Sequence, residues 1–512
     1  MIWILPVIAL LGVAAYIAVA SAAGLHGFPL DDAWIHQTYA RNLADTGQLA
    51  YVPGRPSAGS TSPAWSFLLS IAYLLGLDYA LWTGLLGGLS LALSAWFVYR
   101  LVARLSPAPA PAWRHPALLA GLFCAVEWHM VWAAASGMET ALFTALSLWL
   151  IDRFWVQIAF REAPPDGPAS FQIQEATVAA ISTGVLGAAL VLTRPEGIGL
   201  VALVVAGGLL LPWPPRRDVF RYRALLAAAT VVTFVLVLTP YLFFNYQTAG
   251  TAWPNTLYAK QAEYGFDLSL PARLWRVLSP TLVGAQLLLL PGAAYALYRL
   301  LRERRWAAIL PAVWWLGFII VYALRLPVSY QHGRYTIPTI PILIVYGVWG
   351  TTTLLHPHSP HLLVRVLSRA APAAVAVLAI VFFARGALAY RDDVAFIDGE
   401  MVAVAGWLRE QVPPETLVAV HDIGAVGYFS PQPLLDLAGL ITPDVIPFIT
   451  DPQRLALWMV DRGAEYAVFF PDFSNTYAQL AADPRFRPVY CADHAWTRAQ
   501  GQANMCVYQL VE

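Results

Sequence analysis

Two adjacent carboxylates, Asp31-Asp32, follow the first long apolar run of this 512-residue chain. They open Asp32-Ala33-Trp34-Ile35-His36-Gln37-Thr38-Tyr39-Ala40-Arg41-Asn42-Leu43, which reads as an amphipathic helix lying along a membrane surface. A carboxylate at such a face can act as a general base toward a hydroxyl nucleophile. It can equally cap the helix it begins, accepting from the first free backbone N–H groups. With two side by side, one can cap while the other works. Ser136-Gly137-Met138-Glu139 and Thr193-Arg194-Pro195-Glu196 both have the S/T-x-x-E form of a capping box. Arg194 adds a cation that no cap requires. Glu127 and His129 fall inside an apolar run, where a charge costs roughly 2.5–3.5 kcal/mol on insertion scales and needs a cavity or a partner. They are therefore read either as a structural pair or as part of a substrate pocket.

Cations form the second constellation. Lys260 is the only lysine among 31 basic residues, and it ends Pro254-Asn255-Thr256-Leu257-Tyr258-Ala259-Lys260. A compact ammonium in a chain that otherwise uses arginine points to a specific demand, with drift in composition as the alternative. Gln331-His332-Gly333-Arg334-Tyr335, with Arg325 just before, puts cations where the topology below would not retain them. The guanidinium fork suits phosphate, so His332 and Arg334 are read as an anion site, or else as partners for acids such as Asp31 or Glu139.

The elements that must position these groups follow from composition. Hydrophobic residues make up 59% of the chain and charged residues 12%, far from the quarter charged that is usual in soluble domains. Disorder is excluded on the same grounds. Acidic and basic residues balance at 31 each, so no net field suggests nucleic acid. Apolar runs near 2–23, 80–103, 116–135, 139–157, 176–193, 196–213, 224–245, 279–299, 306–325, 336–355 and 371–390 predict about eleven transmembrane helices. The first is read as an uncleaved anchor: its early stretch lacks Lys and Arg, although Ala18-Val19-Ala20 resembles a cleavage site.

Arginine placement orients the chain with its N-terminus in the cytoplasm. The inner loops then carry Arg104 and Arg114; Arg153 and Arg161; Arg216, Arg217, Arg221 and Arg223; Arg302, Arg304 and Arg305; and Arg365 and Arg369. The scheme requires the short run 63–77 to lie at the outer interface without crossing. Residues 24–79, the 246–278 loop and everything after about 391 fall outside. This divides the chain into a membrane domain, 1–390, and an extracytoplasmic domain, 391–512. The latter reads as small and α/β, with a helix near 402–412, a strand at Leu417–Val420, a helix near 453–462, a strand at Tyr466–Phe470 and a hairpin around 487–511. That hairpin holds Cys491 and Cys506, which can form a disulfide in an oxidising compartment.

The motifs now have a likeness. Asp31-Asp32-Ala33-Trp34-Ile35, Tyr39-Ala40-Arg41-Asn42-Leu43, Gly47, Tyr51, Pro53-Gly54 and Gly59-Ser60-Thr61-Ser62-Pro63 resemble the first outer loop of GT-C membrane glycosyltransferases. So do Gly137-Met138-Glu139-Thr140, Thr193-Arg194-Pro195-Glu196-Gly197, Pro254-Asn255-Thr256 with Tyr258-Ala259-Lys260, and Gly333-Arg334-Tyr335, in matching order along nearly the whole chain. His421-Asp422-Ile423-Gly424-Ala425-Val426-Gly427-Tyr428 resembles the start of the family's soluble domain. The closest branch is that of mycobacterial arabinofuranosyl- and mannosyltransferases. Met138 stands where many relatives have Leu, and Glu127-Trp128-His129 is not part of the pattern.

The resemblance implies an inverting transfer of a hexose or pentose from a polyprenyl-phosphate sugar donor to a glycan, lipid or protein acceptor of the cell envelope, at the outer face of a bacterial plasma membrane. Asp31 or Asp32 is the implied base. Lys260, Arg334, Arg194 and His332 are the expected phosphate ligands, and Glu139, Glu196, Asn255, Tyr258, Glu127 and His129 the expected pocket. A divalent metal is left open, because no ligand cluster stands out. The rival from another class is a transporter or flippase of lipid-linked sugars, which would show internal repeats; none is evident.

Overall fold

A long apolar segment in a bilayer can satisfy its backbone only as a helix. That is what most of the chain up to Ile397 forms in the computed structural model, which describes residues 3–106, 115–162, 169–211, 217–263, 268–355 and 358–511. The first helix, α1 (Ile4–Ser21), is followed by the polar α2 (Asp31–Thr46), a small hairpin of β1 (Ala50–Val52) and β2 (Arg55–Pro56), and α3 (Pro63–Leu75). At about 1.5 Å per residue, the 13 residues of α3 reach about 20 Å, short of a bilayer core.

Then come α4 (Tyr79–Leu105), α5 (Pro116–Val126), α6 (Trp128–Ala135), α7 (Thr140–Glu162), α8 (Ala169–Thr193), α9 (Ile198–Leu210) and α10 (Arg217–Ala249). The short α11 (Asn255–Glu263) and α12 (Leu270–Leu278) lead to α13 (Leu290–Arg302), α14 (Trp306–Arg325), the one-turn α15 (Tyr330–Gly333), α16 (Ile340–Leu354) and α17 (Leu362–Ile397).

Among the described residues, seven helices are long and apolar enough to cross a membrane. Two bent pairs raise this to nine: α5 with α6, bent by 50°, and the segments Leu270–Leu282 and Ala285–Arg302, bent by 102°. The two remaining predicted spans are helical too, at α7 and α9. Helix α9 has only 13 residues, and the apolar run of the continuous helix α7 is interrupted by Asp152 and Arg153. Asp152 is buried between Arg100 and Arg104, at 3.0 and 2.8 Å. The chain is thus a multi-pass membrane protein. Of the arginines in the orientation pattern, Arg114, Arg161, Arg216, Arg217 and Arg221 lie outside the residues whose side chains are described.

No loop marks the expected boundary at 391. Helix α17 runs through it and passes by a π-turn, Asp398–Val402, into α18 (Ala403–Gln411). Glu400, fully buried in that turn, accepts from Thr497 Oγ1, Asn504 Nδ2 and the Met505 N–H, at 2.6, 2.6 and 2.9 Å. The last membrane helix is thereby fastened to the far end of the terminal domain.

That domain adds β3 (Val418–Val420), α19 (Ile423–Phe429), β4 (Leu434–Asp436), α20 (Pro452–Asp461), β5 (Tyr466–Phe469), α21 (Asn475–Ala482), β6 (Phe486–Cys491), α22 (Ala495–Ala499) and β7 (Cys506–Leu510). Its sheet has the order β4-β3-β5-β7-β6, with β3 parallel to both β4 and β5 and the β6–β7 hairpin antiparallel. The predicted strands and helices appear; β4, only three residues long, was not foreseen. Cys491 and Cys506 are register partners in the hairpin and form a disulfide.

Candidate functional site

The Asp31-Asp32 pair does not cap its own helix. Leu30 occupies the N-cap position of α2, which has no side-chain cap. Instead Asp31 caps another helix: its two carboxylate oxygens accept from the Gly424 and Ala425 N–H groups in the first turn of α19, at 2.7 and 2.8 Å. Gly424 permits this closeness, since a Cβ there would lie 2.0 Å from the Asp31 carbonyl oxygen. Burial, and then the Asp422 carboxylate, pushes Asp31 up to about 7 despite those two bonds. Asp31 thus joins the membrane part to the terminal domain. Tyr51, bonded to the Ile423 carbonyl at 2.5 Å, and Arg41, bonded to that of Tyr428 at 3.2 Å, reinforce the same seam.

Asp32, one position on, turns the other way. Its Oδ2 accepts from Arg334 Nη2 and stands 3.8 Å from Lys260 Nζ. Both cations also donate to the Tyr335 hydroxyl, each at 2.9 Å. Burial opposes ionisation of Asp32, but Arg334, Lys260 and His36 outweigh it and hold the carboxyl far below its usual range. Burial likewise disfavours the Lys260 ammonium, and Tyr335 and Asp32 more than restore it. Lys260 is brought here by α11, whose start is pinned to the first loop: the Asn255 N–H donates to Ala58 and Thr256 Oγ1 to Gly59, at 3.2 and 2.9 Å.

Arg334 follows a strained turn, in which Gln331 and His332 take left-handed φ of 53° and 59°. The Arg334 residue is 6% exposed, and its Nε and Nη1 have no hydrogen-bond partner. A buried guanidinium with two unused donors is suited to an anion.

Two cavities, each of about 510 Å³, meet at this cluster. Asp32, Ile35, Lys260, Arg334 and Leu440 line both. The first cavity extends into the helical bundle past Glu139, Arg194, Glu196, Tyr322 and Arg325. The second lies beneath the terminal domain, past Asp31, Glu263, Asp393, His421 and Phe473.

The two predicted capping boxes do not close. Glu139 contacts His36 at 3.2 Å and Arg194 at 3.7 Å, while Glu196 takes Arg194 at 2.7 Å and the Tyr322 hydroxyl. Burying Arg194 requires carboxylate partners, and this need outcompetes capping. Arg194 therefore sits in the first cavity already paired. Glu127 is a cap, at the break between α5 and α6: Oε2 accepts from the Met130 N–H at 3.0 Å and Oε1 contacts His129 at 2.8 Å. Neither residue lines either cavity, because the bent span gives the charge a backbone donor to satisfy. His332 contacts Asp393 at 2.8 Å, between Trp128 and Trp132, rather than the Arg334–Lys260 pair. Asn255 and Tyr258 flank the first cavity without lining it.

His36, Tyr322, Tyr335, Glu263 and His421 were not among the expected site residues. The spacing of Asp32 and His36, four apart on one helix, was the available signal for the first. His421 bridges Glu263 at 2.8 Å and Asp422 at 3.1 Å, which ties α11 to β3. Burial disfavours its charge, yet the two acids hold its pKa well above the usual histidine value. Among the described residues, no group of three or more His, Cys, Asp or Glu side chains could hold a metal ion.

A family model described only as a domain of unknown function (DUF8728) matches residues 395–508. No curated protein matches the chain. Solved structures do. ArnT from Cupriavidus metallidurans bound to undecaprenyl phosphate aligns over 98% of this chain and 97% of its own, with TM-score 0.59 and 15% identity. Archaeal oligosaccharyltransferase AglB from Archaeoglobus fulgidus, in complex with an inhibitory peptide and a dolichol-phosphate, aligns over 93% of this chain and 70% of its own, with TM-score 0.58 and 12% identity. Arabinofuranosyltransferase AftD from Mycobacteria gives a TM-score of 0.47 over 41% of its length at 15% identity. The chain has the GT-C fold: a polytopic helical membrane part with a C-terminal domain that contains strands.

Proposed function

We propose that this protein is an inverting glycosyltransferase that moves a sugar from a polyprenyl-phosphate donor to an acceptor hydroxyl of the cell envelope. One observation carries the reading. Asp32, ionised and 27% exposed at its side chain, stands beside the buried Arg334 and the partly buried Lys260 where two cavities meet, and Arg334 keeps two donors unused. The ArnT structure holds undecaprenyl phosphate and the AglB structure a dolichol-phosphate, which agrees with a phosphate at this pair of cations.

In this mechanism the donor lipid phosphate lies in the first cavity against Arg334 and Lys260, with Arg194 and His36 farther along the wall. The acceptor reaches Asp32 through the second cavity. The acceptor oxygen attacks the anomeric carbon as its proton passes to Asp32 Oδ, and the bond from that carbon to the phosphate oxygen breaks. The electron pair leaves with the lipid phosphate, whose growing charge is offset by Arg334 and Lys260. Attack and departure on opposite faces invert the anomeric centre without a covalent intermediate.

Asp31, with both oxygens engaged by α19, positions the roof of the site and does not accept the proton. The arginine bias of the loops and the Cys491–Cys506 disulfide support an extracytoplasmic site in a bacterial plasma membrane. The test is transfer from a lipid-phosphate sugar by Asp31→Asn and Asp32→Asn separately. Loss confined to Asp32→Asn is expected; wild-type rates in Asp32→Asn would remove the assignment of the base.

A further inference from the structure

The two cavities carry opposite charge. In the first, the cations Arg194, Lys260, Arg325 and Arg334 outnumber Asp32, Glu139 and Glu196. Beyond the shared Asp32, Lys260 and Arg334, the second is lined by Asp31, Glu263, Asp393, Asp422 and Asp472, with His421 as the sole opposing titratable group among its described lining residues. Even with His421 protonated and Asp31 half-neutralised, negative charge prevails. A phosphate or carboxylate brought in from this side meets repulsion in a partly dry space.

The rest of the lining is aromatic and hydrogen-bond accepting. Phe396 and Phe470 stack with centroids 6.0 Å apart and planes 10° from parallel. Phe473 packs on His421 with centroids 4.3 Å apart and is itself 38% exposed. The carboxylates are oriented by the protein: Asp393 Oδ2 accepts from Trp132 Nε1 at 2.9 Å, and Asp472 Oδ2 from the Ala503 N–H at 2.7 Å. Each carboxylate has about four acceptor positions, so these contacts leave capacity for hydroxyl donors. Gln331 contributes Oε1, a buried acceptor with no partner. Oriented acceptors and ring faces, with His421 the one cation among the described lining residues away from the reacting centre, match a sugar, whose hydroxyls donate and whose C–H faces lie on aromatic rings.

We infer that the second cavity takes the hydroxyl-rich, uncharged end of a carbohydrate chain, and that it excludes acceptors bearing phosphate or carboxylate groups near the reacting end. This rests on the proposed transfer at Asp32 and adds the acceptor's chemical class to it.

Saturation-transfer NMR on the full chain in nanodiscs tests the class directly. The probes are three neutral trisaccharides (arabinofuranotriose, mannotriose and maltotriose), trigalacturonate, and a serine- and threonine-rich hexapeptide. At least one neutral trisaccharide should give a signal ten-fold or more above those of trigalacturonate and the peptide. Phe473→Ala and, independently, Asp472→Asn should each weaken that signal at least five-fold. Both positions are at the cavity surface, and an unchanged melting temperature shows that the fold survives. Equal or stronger signals from trigalacturonate or the peptide, silence from all three neutral sugars, or indifference to both variants each overturn the inference. Undecaprenyl phosphate binding to Arg334→Ala, measured alongside, reports on the function itself: if that binding is unchanged, the transferase reading fails whatever the sugars do.

Discussion

Replacing Asp32 by asparagine should have two opposite effects on the same enzyme. Asparagine keeps the shape and cannot accept a proton, so the transfer rate should fall by about 10²–10⁴-fold, the usual worth of a general base. Binding of the leaving lipid phosphate should tighten. Lys260 Nζ is 3.8 Å from the carboxylate, and Coulomb's law at an effective dielectric near 20 gives about 4 kcal/mol for that separation. With 27% of the Asp32 side chain exposed, water screens much of this, leaving about 1–2 kcal/mol for a competing anion. That corresponds to about 5–30-fold tighter binding of undecaprenyl phosphate. Native mass spectrometry or fluorescence titration in nanodiscs reads the affinity, and radiolabelled transfer reads the rate. Weaker lipid-phosphate binding by Asp32→Asn, or an undiminished rate, would refute the reasoning that this carboxylate both faces the phosphate site and takes the proton.

Other expectations are narrower. Arg334→Lys keeps the charge and loses the fork, so undecaprenyl phosphate affinity should drop about ten-fold or more, while the melting temperature changes little. Asp31→Asn trades two carboxylate-accepted N–H bonds for one, at a cost of about 1–3 kcal/mol. Because the folded-state value of Asp31 is raised to about 7, its stabilising contribution is present at low pH and fades as pH rises through 7. The gap in melting temperature between wild type and this variant should therefore narrow from pH 5 to pH 8. His421 is also raised in the folded state, so its bridge to Glu263 contributes fully below about pH 6.5 and is lost as pH climbs through the folded value. His421→Gln should destabilise most at acid to neutral pH, which thermal melts across pH will show. Removing the disulfide with Cys491→Ser and Cys506→Ser opens a loop between residues 15 apart. The change should cost the terminal domain about 3 kcal/mol, and new proteolytic cleavage should appear between 492 and 505.

Much of the molecule was legible in the chain itself. Apolar runs must become helices in a bilayer, so the helical positions followed from composition and period, and every predicted span is helical. The alternation of short apolar runs with helical spacing after 402 gave the α/β character of the last domain, and two cysteines in one hairpin gave its cross-link. Residue types and placement marked the Asp31-Asp32 pair, the lone Lys260 and Arg334, a cation retained against the topology, without choosing between the two aspartates.

What the sequence could not distinguish was the partner of each polar group. A carboxylate at a helix start reads as a cap, yet the donors that Asp31 satisfies lie in α19, 393 and 394 residues away along the chain. The capping-box form of Glu139 and Glu196 was overridden by a buried Arg194 that needed both. Glu127, read either as a structural pair with His129 or as a pocket residue, pairs with His129 and caps the helix where the span bends. In each case local pattern states what a group requires, while only the folded chain decides which neighbour meets the requirement. The same holds for the site: three charges at positions 32, 260 and 334 become a site only where two cavities of opposite charge meet around them.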